Sequence, residues 1–166
     1  MTNKLIIGYQ DTPQGHDALA LGELLAETLD ARPLAATVPL IATVLPWSGQ
    51  LMSESELEAA LRLETKEPFA AVRDRLAALD PETKAIASHS PGAALYELAG
   101  EERALLIVVG STHRGPLGRV LPGSVGRALL QGAPCAVAVA PRAYAAREQR
   151  RLQRIAVAFD GSAEAW

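Results

Sequence analysis

Gly110, Gly123 and Ser124 are the residues whose types and spacing point most directly to chemistry. An apolar run, residues 107–109 (IVV), stops at Gly110, a loop containing His113, Arg114, Gly115, Gly118 and Arg119 follows, and a helical pattern opens at Gly123-Ser124. A strand that ends at a glycine and passes through a loop into a helix start exposes several backbone N–H groups to one anion. A glycine there lets the backbone approach a phosphate closely, and the two arginines can neutralise it through charge-assisted hydrogen bonds. Ser124 can offer a phosphate its hydroxyl and N–H or serve only to cap the helix it begins. The arginines can equally pair with surface acids.

A second polar stretch, Gln10, Asp11 and Thr12, follows the first apolar run. Asp11 and Thr12 suit a turn that hydrogen-bonds its own backbone, and Gln10 is a neutral hydrogen-bonding group. Asp11, His113 and Ser124 would suffice for a slow nucleotide hydrolase if they met, but a base and a nucleophile must lie within hydrogen-bond reach. His16 falls in the first turn of a helix and His89 beside the Ser90 cap, neither with a second ligand at metal spacing. No catalytic residue and no metal site is expected.

The elements that must hold these residues alternate. Residues 4–9 (KLIIGY) form a near-continuous apolar run, as in a strand buried on both faces. A helix follows over residues 16–32, its face carried by Leu19, Ala20, Leu24, Leu25 and Leu29. Pro39 argues against a central strand through it, which places strand 2 at residues 40–45. Ser53 and Glu56 have the spacing of a capping box, opening a long helix to about Leu79 that buries Leu57, Leu61, Phe69, Val72, Leu76 and Leu79 and is expected to bend at Pro68. Residues 83–88 read as a weak strand at an edge. Ser90-Pro91 starts a further helix that stops near Gly100, residues 103–109 form a buried strand, 123–131 a short helix and 135–140 (CAVAVA) a last strand. The order β-α-β-α-β-α-β-α-β predicts an α/β domain with a parallel sheet, right-handed crossovers and helices on both faces. With the first strand central, the loops after strands 1 and 4 flank a crevice at the strands' carboxyl ends.

The 166 residues suffice for one well-packed domain. No apolar run reaches the length that spans a bilayer, and the N-terminus lacks a signal-peptide pattern. One cysteine, Cys135, excludes a disulfide framework and reads as a small buried hydrophobe. A cytoplasmic location is the expectation. The net charge of −3 gives no general attraction for nucleic acid. Five arginines stand against Glu148 within residues 141–154, a run that reads as a solvated basic linker because aromatic stacking residues are missing. The tail RIAVAFDGSAEAW repeats the opening KLIIGYQDT: a basic residue, an apolar strand, an aromatic, then a turn with Asp and a hydroxyl. The expected organisation is a complete domain at 1–141, a linker at 142–153, and the first strand and turn of a second domain at 154–166. That lone strand is expected to be disordered or to pair with an exposed edge.

Together, the first strand and turn, the second strand ending at Val44, and GSTHRGPLGRVLPGSV followed by APCAVAVAP resemble the universal stress proteins, above all the tandem-domain type of actinobacteria. The resemblance implies an open five-stranded parallel sheet of order 3-2-1-4-5, Rossmann-like and akin to the adenine nucleotide alpha hydrolases. It implies ATP or AMP as ligand, with Mg only as the nucleotide's companion, and a homodimer as partner state, with neither nucleic acid nor membrane. Nucleotide-binding members carry Gly, two residues, Gly, nine residues, then Gly and Ser or Thr. Gly110, Gly123 and Ser124 match that pattern, His113 stands at the second glycine, and Arg114 and Val125 flank it. The family's aspartate after strand 1 falls on Gln10, with Asp11 and Thr12 beside it, and Val44 matches the position whose backbone holds adenine. The departures at His113 and Gln10 leave a ligand-free interaction and dimerisation module as the alternative.

Overall fold

A computed structural model describes residues 3–39, 53–112, 120–147, 152–158 and 162. Its elements are β1 (Lys4–Gly8), α1 (Pro13–Leu29), β2 (Arg32–Thr37), α2 (Glu54–Arg75), a 3-10 turn (Ala77–Leu79), β3 (Glu82–Ala85), α3 (Pro91–Glu101), β4 (Leu106–Gly110), α4 (Ser124–Leu130) and β5 (Ala136–Ala140). The strands are parallel and ordered β3-β2-β1-β4-β5. β1 is central because it is apolar on both sides: Leu5, Ile6 and Ile7 are fully buried. Alternate residues of a strand face opposite ways. Leu5, Ile7 and Tyr9 pack with α1 and α2, whereas Ile6 packs with α3 and α4.

Strand 2 is Arg32–Thr37, and the stretch expected to form it, residues 40–45, lies outside the described residues. Pro39, which argued against a strand through it, lies beyond the end of β2, and the proline inside β2, Pro33, is harmless. Pairing with β3 begins one residue later, at Leu34 opposite Glu82, so its missing N–H interrupts no ladder on that side. Arg32 therefore belongs to β2 and not to the first helix.

The buried face of α1 also differs from the expected leucine stripe. Leu19 and Ala20 are buried as expected, together with Gly15, Asp17, Ala18, Gly22 and Ala26, while Leu24 and Leu25 are half-buried and Leu29 is exposed. Small residues let the helix sit close to the sheet. A Cβ on Gly22 would fall 2.5 Å from Ile7 Cδ1.

The capping box forms as expected, with Ser53 Oγ accepting from Glu56 N–H and the Glu56 carboxylate accepting from Ser53 N–H. The long helix continues through Pro68 and ends at Arg75, where the 3-10 turn takes over, and of its expected core leucines Leu57 and Leu79 are half-buried rather than buried. Ser90 caps α3, and β3 is an edge strand as expected. Cys135 is half-buried rather than buried, and burial pushes its thiol above the ordinary range.

After β5 the chain turns back onto α1. Asp17, 3% exposed, accepts from the N–H groups of Ala143 (2.9 Å) and Ala145 (2.8 Å), and Tyr144 is buried beside them. The first part of the expected linker is therefore fastened to the domain. Residues 152–158 form no strand, and Ile155 and Val157 are 80% and 81% exposed.

Candidate functional site

The carboxyl ends of β1 and β4 open into a cleft of about 350 Å³. Its first wall comes from the β1 end and the start of α1. Tyr9 extends β1 by donating its N–H to Ala36 O, 2.9 Å away, and Thr12 Oγ1 accepts from Gly15 N–H at 3.1 Å to cap α1. Pro13 occupies the first helical turn, where no N–H is needed. Gly15 is required by contact: a Cβ there would lie 1.8 Å from Gln10 O. Gly110, across the cleft, meets the same helix, and a Cβ on it would come within 2.3 Å of Gln14 O. The first glycine of the expected cradle is thus explained by backbone packing against α1.

The second wall follows β4. Ser111 donates its N–H to Ala140 O at 3.1 Å and pairs with Pro122 in an isolated antiparallel bridge, and Thr112 donates to Leu121 O at 2.8 Å. These contacts bring the two ends of the glycine-rich loop together, so Gly123 enters the cleft directly beside Ser111. Gly123 itself has φ −69, and among the described residues nothing lies within 4 Å of where its Cβ would be. No side chain caps α4, whose first intrahelical bond from a later amide is Arg127 N–H to Gly123 O. The N–H groups of Ser124, Val125 and Gly126 precede that bond and line the cleft with their residues.

Ser111 is 4% exposed, lines the cleft, and its buried Oγ has no hydrogen-bond partner among the described residues. A buried hydroxyl without a partner is uncommon. Toward β2 the lining turns apolar, with Ala36 and Val38, and Leu95 of α3 closes that side. The arrangement presents an apolar slot at one end and neutral donors at the other.

Of the residues expected at the site, Gln10, Thr12, Gly110, Gly123, Ser124 and Val125 line this cleft together. Asp11 does not. It is exposed, and its carboxylate lies 3.0 Å from His16 Nε2. The hydrolase arrangement of Asp11, His113 and Ser124 therefore loses its acid to a surface pair. Val44, His113 and Arg114 lie outside the described residues. Ser111, Val38 and Leu95 were missed by the sequence reading. A hydroxyl directly after the glycine that ends β4 was the available signal for Ser111.

Among the described residues that line the cleft there is no carboxylate, histidine, lysine or arginine. Its titratable side chain is Tyr9, whose phenol burial raises above the ordinary value, with Asp11 nearby adding to the effect. Among the described residues no three His, Cys, Asp or Glu are grouped to hold a metal ion, and no helix is long and apolar enough to cross a membrane. The cleft can hold and orient a ligand through backbone and hydroxyl donors.

The fold has close parallels. The universal stress protein UspA from Lactobacillus plantarum superposes with a TM-score of 0.60 at 20% identity, covering 83% of this chain and 97% of that one. A universal stress protein in complex with cAMP matches at a TM-score of 0.57 and 23% identity, covering 85% of this chain and 98% of that one. The universal stress protein from Archaeoglobus fulgidus in complex with dAMP matches at 0.53 and 17% identity, over 84% and 98%. At these identities the likeness concerns the fold. No curated protein sequence matches the chain. The sequence model of the universal stress protein family, however, matches residues 1–141, from β1 through β5. The chain belongs to the universal stress protein family.

Proposed function

We propose that the cleft between β1 and β4 binds an adenine nucleotide, ATP or AMP, and that the protein acts in the cytoplasm as a stress-response component through ligand-dependent conformation or association, without turnover. The observation that carries this reading is Gly123. Packing explains Gly15 and Gly110, but no contact among the described residues calls for glycine at 123, where φ is ordinary and the space beyond Cα is open to them. A glycine that keeps space clear beside the unpartnered Ser111 hydroxyl suits a phosphate seated against the α4 start. The base then lies toward Ala36 and Val38, where the slot is apolar. Thr12 and Gln10 are within the same wall for the ribose. Two relatives of the same fold carry adenine nucleotides, cAMP in one and dAMP in the other, which supports the ligand class. Any Mg²⁺ arrives with the phosphates.

Calorimetric titration with ATP and with AMP tests the reading, together with mass spectrometry of nucleotide released from the denatured protein. Heat and a rise in melting temperature are expected. No heat and no thermal shift at millimolar nucleotide would overturn it.

One observation favours the second reading, an interaction module that dimerises. β5 is an edge strand of the sheet, built of Ala and Val, with Ala136 exposed and Val137, Ala138 and Val139 half-buried. An apolar edge of this kind is adhesive. Sedimentation of the protein with and without nucleotide separates a homodimer that forms regardless of ligand from one that depends on it. The exposed Ile155 and Val157 support reading 154–166 as the first strand and turn of a second domain, since an apolar strand of that pattern needs a sheet to cover it.

A further inference from the structure

The far edge of the sheet carries a second depression, of about 450 Å³, between α2 and β3. Its floor is apolar, from Leu61 and Phe69, which are 9% and 6% exposed. Its rim is basic. Arg62, Lys66 and Arg73 stand along one side of α2, with Glu58 as the acid among them. Glu58 approaches Arg62 at 3.8 Å, but both side chains are largely in solvent, so the pair holds the arginine weakly. Lys66 has no ion-pair partner among the described residues, and Arg73 donates to Thr83 Oγ1 at 3.2 Å. In a chain of net charge −3 this is a local concentration of the opposite sign.

The other wall is β3, which among the described residues pairs with β2 alone. Ile86, just beyond it, donates its N–H inward to Thr37 O at 2.9 Å. Backbone groups of alternate residues in a parallel strand point to opposite sides. The amides of Lys84 and Glu82 therefore face β2, and those of Thr83 and Ala85 face outward along the groove. The groove thus combines strand groups that no described residue pairs, an apolar floor and a cationic rim. Arg62 and Lys66, one turn apart, are separated by about 6 Å along the helix axis. Alternate residues of an extended chain repeat at about 6.8 Å.

We propose that this groove docks an extended acidic segment of a partner protein, which adds as a strand to the outer edge of β3 and sets alternate Asp or Glu side chains against Arg62 and Lys66. The mode is strand addition, with main-chain hydrogen bonds supplying affinity and side-chain placement supplying selectivity. Charge decides the occupant. The chain's own tail, residues 142–166, carries five arginines against Glu148, Asp160 and Glu164, a net positive balance that is the wrong sign for this rim.

The test is fluorescence anisotropy of the full chain with a labelled peptide of alternating Glu and Val. We expect binding that weakens as salt is raised and falls about tenfold in the variant Arg62→Gln/Lys66→Gln, a change of about 1.4 kcal/mol. The same peptide N-methylated at alternate amides should also lose about tenfold, because strand addition needs those donors. A Lys–Val peptide should not bind. Both substituted side chains are exposed, and circular dichroism of the variant checks the fold; should it be altered, Lys66→Gln alone is expected to lose about threefold. The proposal is overturned if the wild type shows no binding at millimolar peptide, if the variants bind unchanged, or if the N-methylated peptide binds equally well. It is also overturned if oligo-dT of equal charge competes as effectively, which would mark a general polyanion surface, or if the variant changes the protein's own oligomeric state, which would make a second copy the occupant.

Discussion

The two walls of the cleft end in glycines that look alike in sequence and serve opposite purposes. On the β1 side, Gly15 is held against Gln10 O, and Gly110 is held against Gln14 O across the cleft floor. Both close a gap between backbones. On the α4 side, Gly123 has open space around it, and its neighbour Ser111 holds a buried hydroxyl without a partner among the described residues. Each wall keeps one buried hydroxyl without a partner among the described residues, Tyr9 on the first and Ser111 on the second. What differs is that packing fixes the glycines of the first wall and does not fix Gly123, and the ligand reading rests on that difference.

The comparison breaks most readily at Gly15. Gly15→Ala drives a methyl into a carbonyl that cannot move without shifting α1, and we expect a loss of about 3 kcal/mol in urea unfolding. Gly123→Ala should cost about 1 kcal/mol or less, as for a capping position, while weakening nucleotide binding. Equal losses of stability at the two positions would erase the distinction.

Next in size is Asp17→Ala. It leaves the N–H groups of Ala143 and Ala145 without their acceptor. A cost of about 2 kcal/mol is expected, with faster proteolysis in residues 141–147; an unchanged cleavage rate would show that this segment is held by Tyr144 instead.

Ser111→Ala sharpens the second wall. Removing an unpartnered buried hydroxyl should stabilise the ligand-free protein by about 1 kcal/mol and weaken nucleotide binding. A destabilised variant would mean that the hydroxyl already has a partner.

The smallest effect lies far from the cleft. Lys4 Nζ sits 2.7 Å from Glu102 and 3.0 Å from Glu82. Its hydrogen bond to Lys4 holds the Glu102 carboxyl below the usual range, and the Glu102 hydrogen bond, followed by that of Glu82, holds the Lys4 ammonium above its own. The stabilisation from Glu102 is present at neutral pH and is lost as pH falls through its depressed folded value. That from Lys4 is present below the ordinary lysine range and is lost as pH rises through the raised value. Glu102→Gln should cost about 0.5–1 kcal/mol at pH 7 and remove that part of the acid-side dependence, as read from melting temperatures between pH 3 and pH 7.

Much of the architecture was legible in the chain. The apolar run of β1 required a position buried on both faces, the Ser53–Glu56 and Ser90-Pro91 pairs marked helix starts, and alternation of strands and helices implied the parallel sheet. Strand 2 was misplaced because Pro39 divides two apolar pieces and the sequence alone does not say which of them pairs with β1; the register opposite Lys4–Gly8 selects the first, Arg32–Thr37. The face of α1 was misread for a related reason. Periodicity favours leucine, while the distance between α1 and β1 favours Gly22 and Ala26.

At the site, sequence determined that Gly110, Gly123 and Ser124 belong to one loop system opposite Gln10 and Thr12, since chain order and crossover handedness bring those segments to the same end of the sheet. Only the tertiary structure decided what each residue does there. Asp11 turns to His16, Gly110 packs on α1, and Ser111 is left facing the cleft beside an open Gly123. The reason is physical: a glycine required by a neighbouring carbonyl and one that keeps space open carry the same letter, and they differ only in what stands within 4 Å of the absent Cβ.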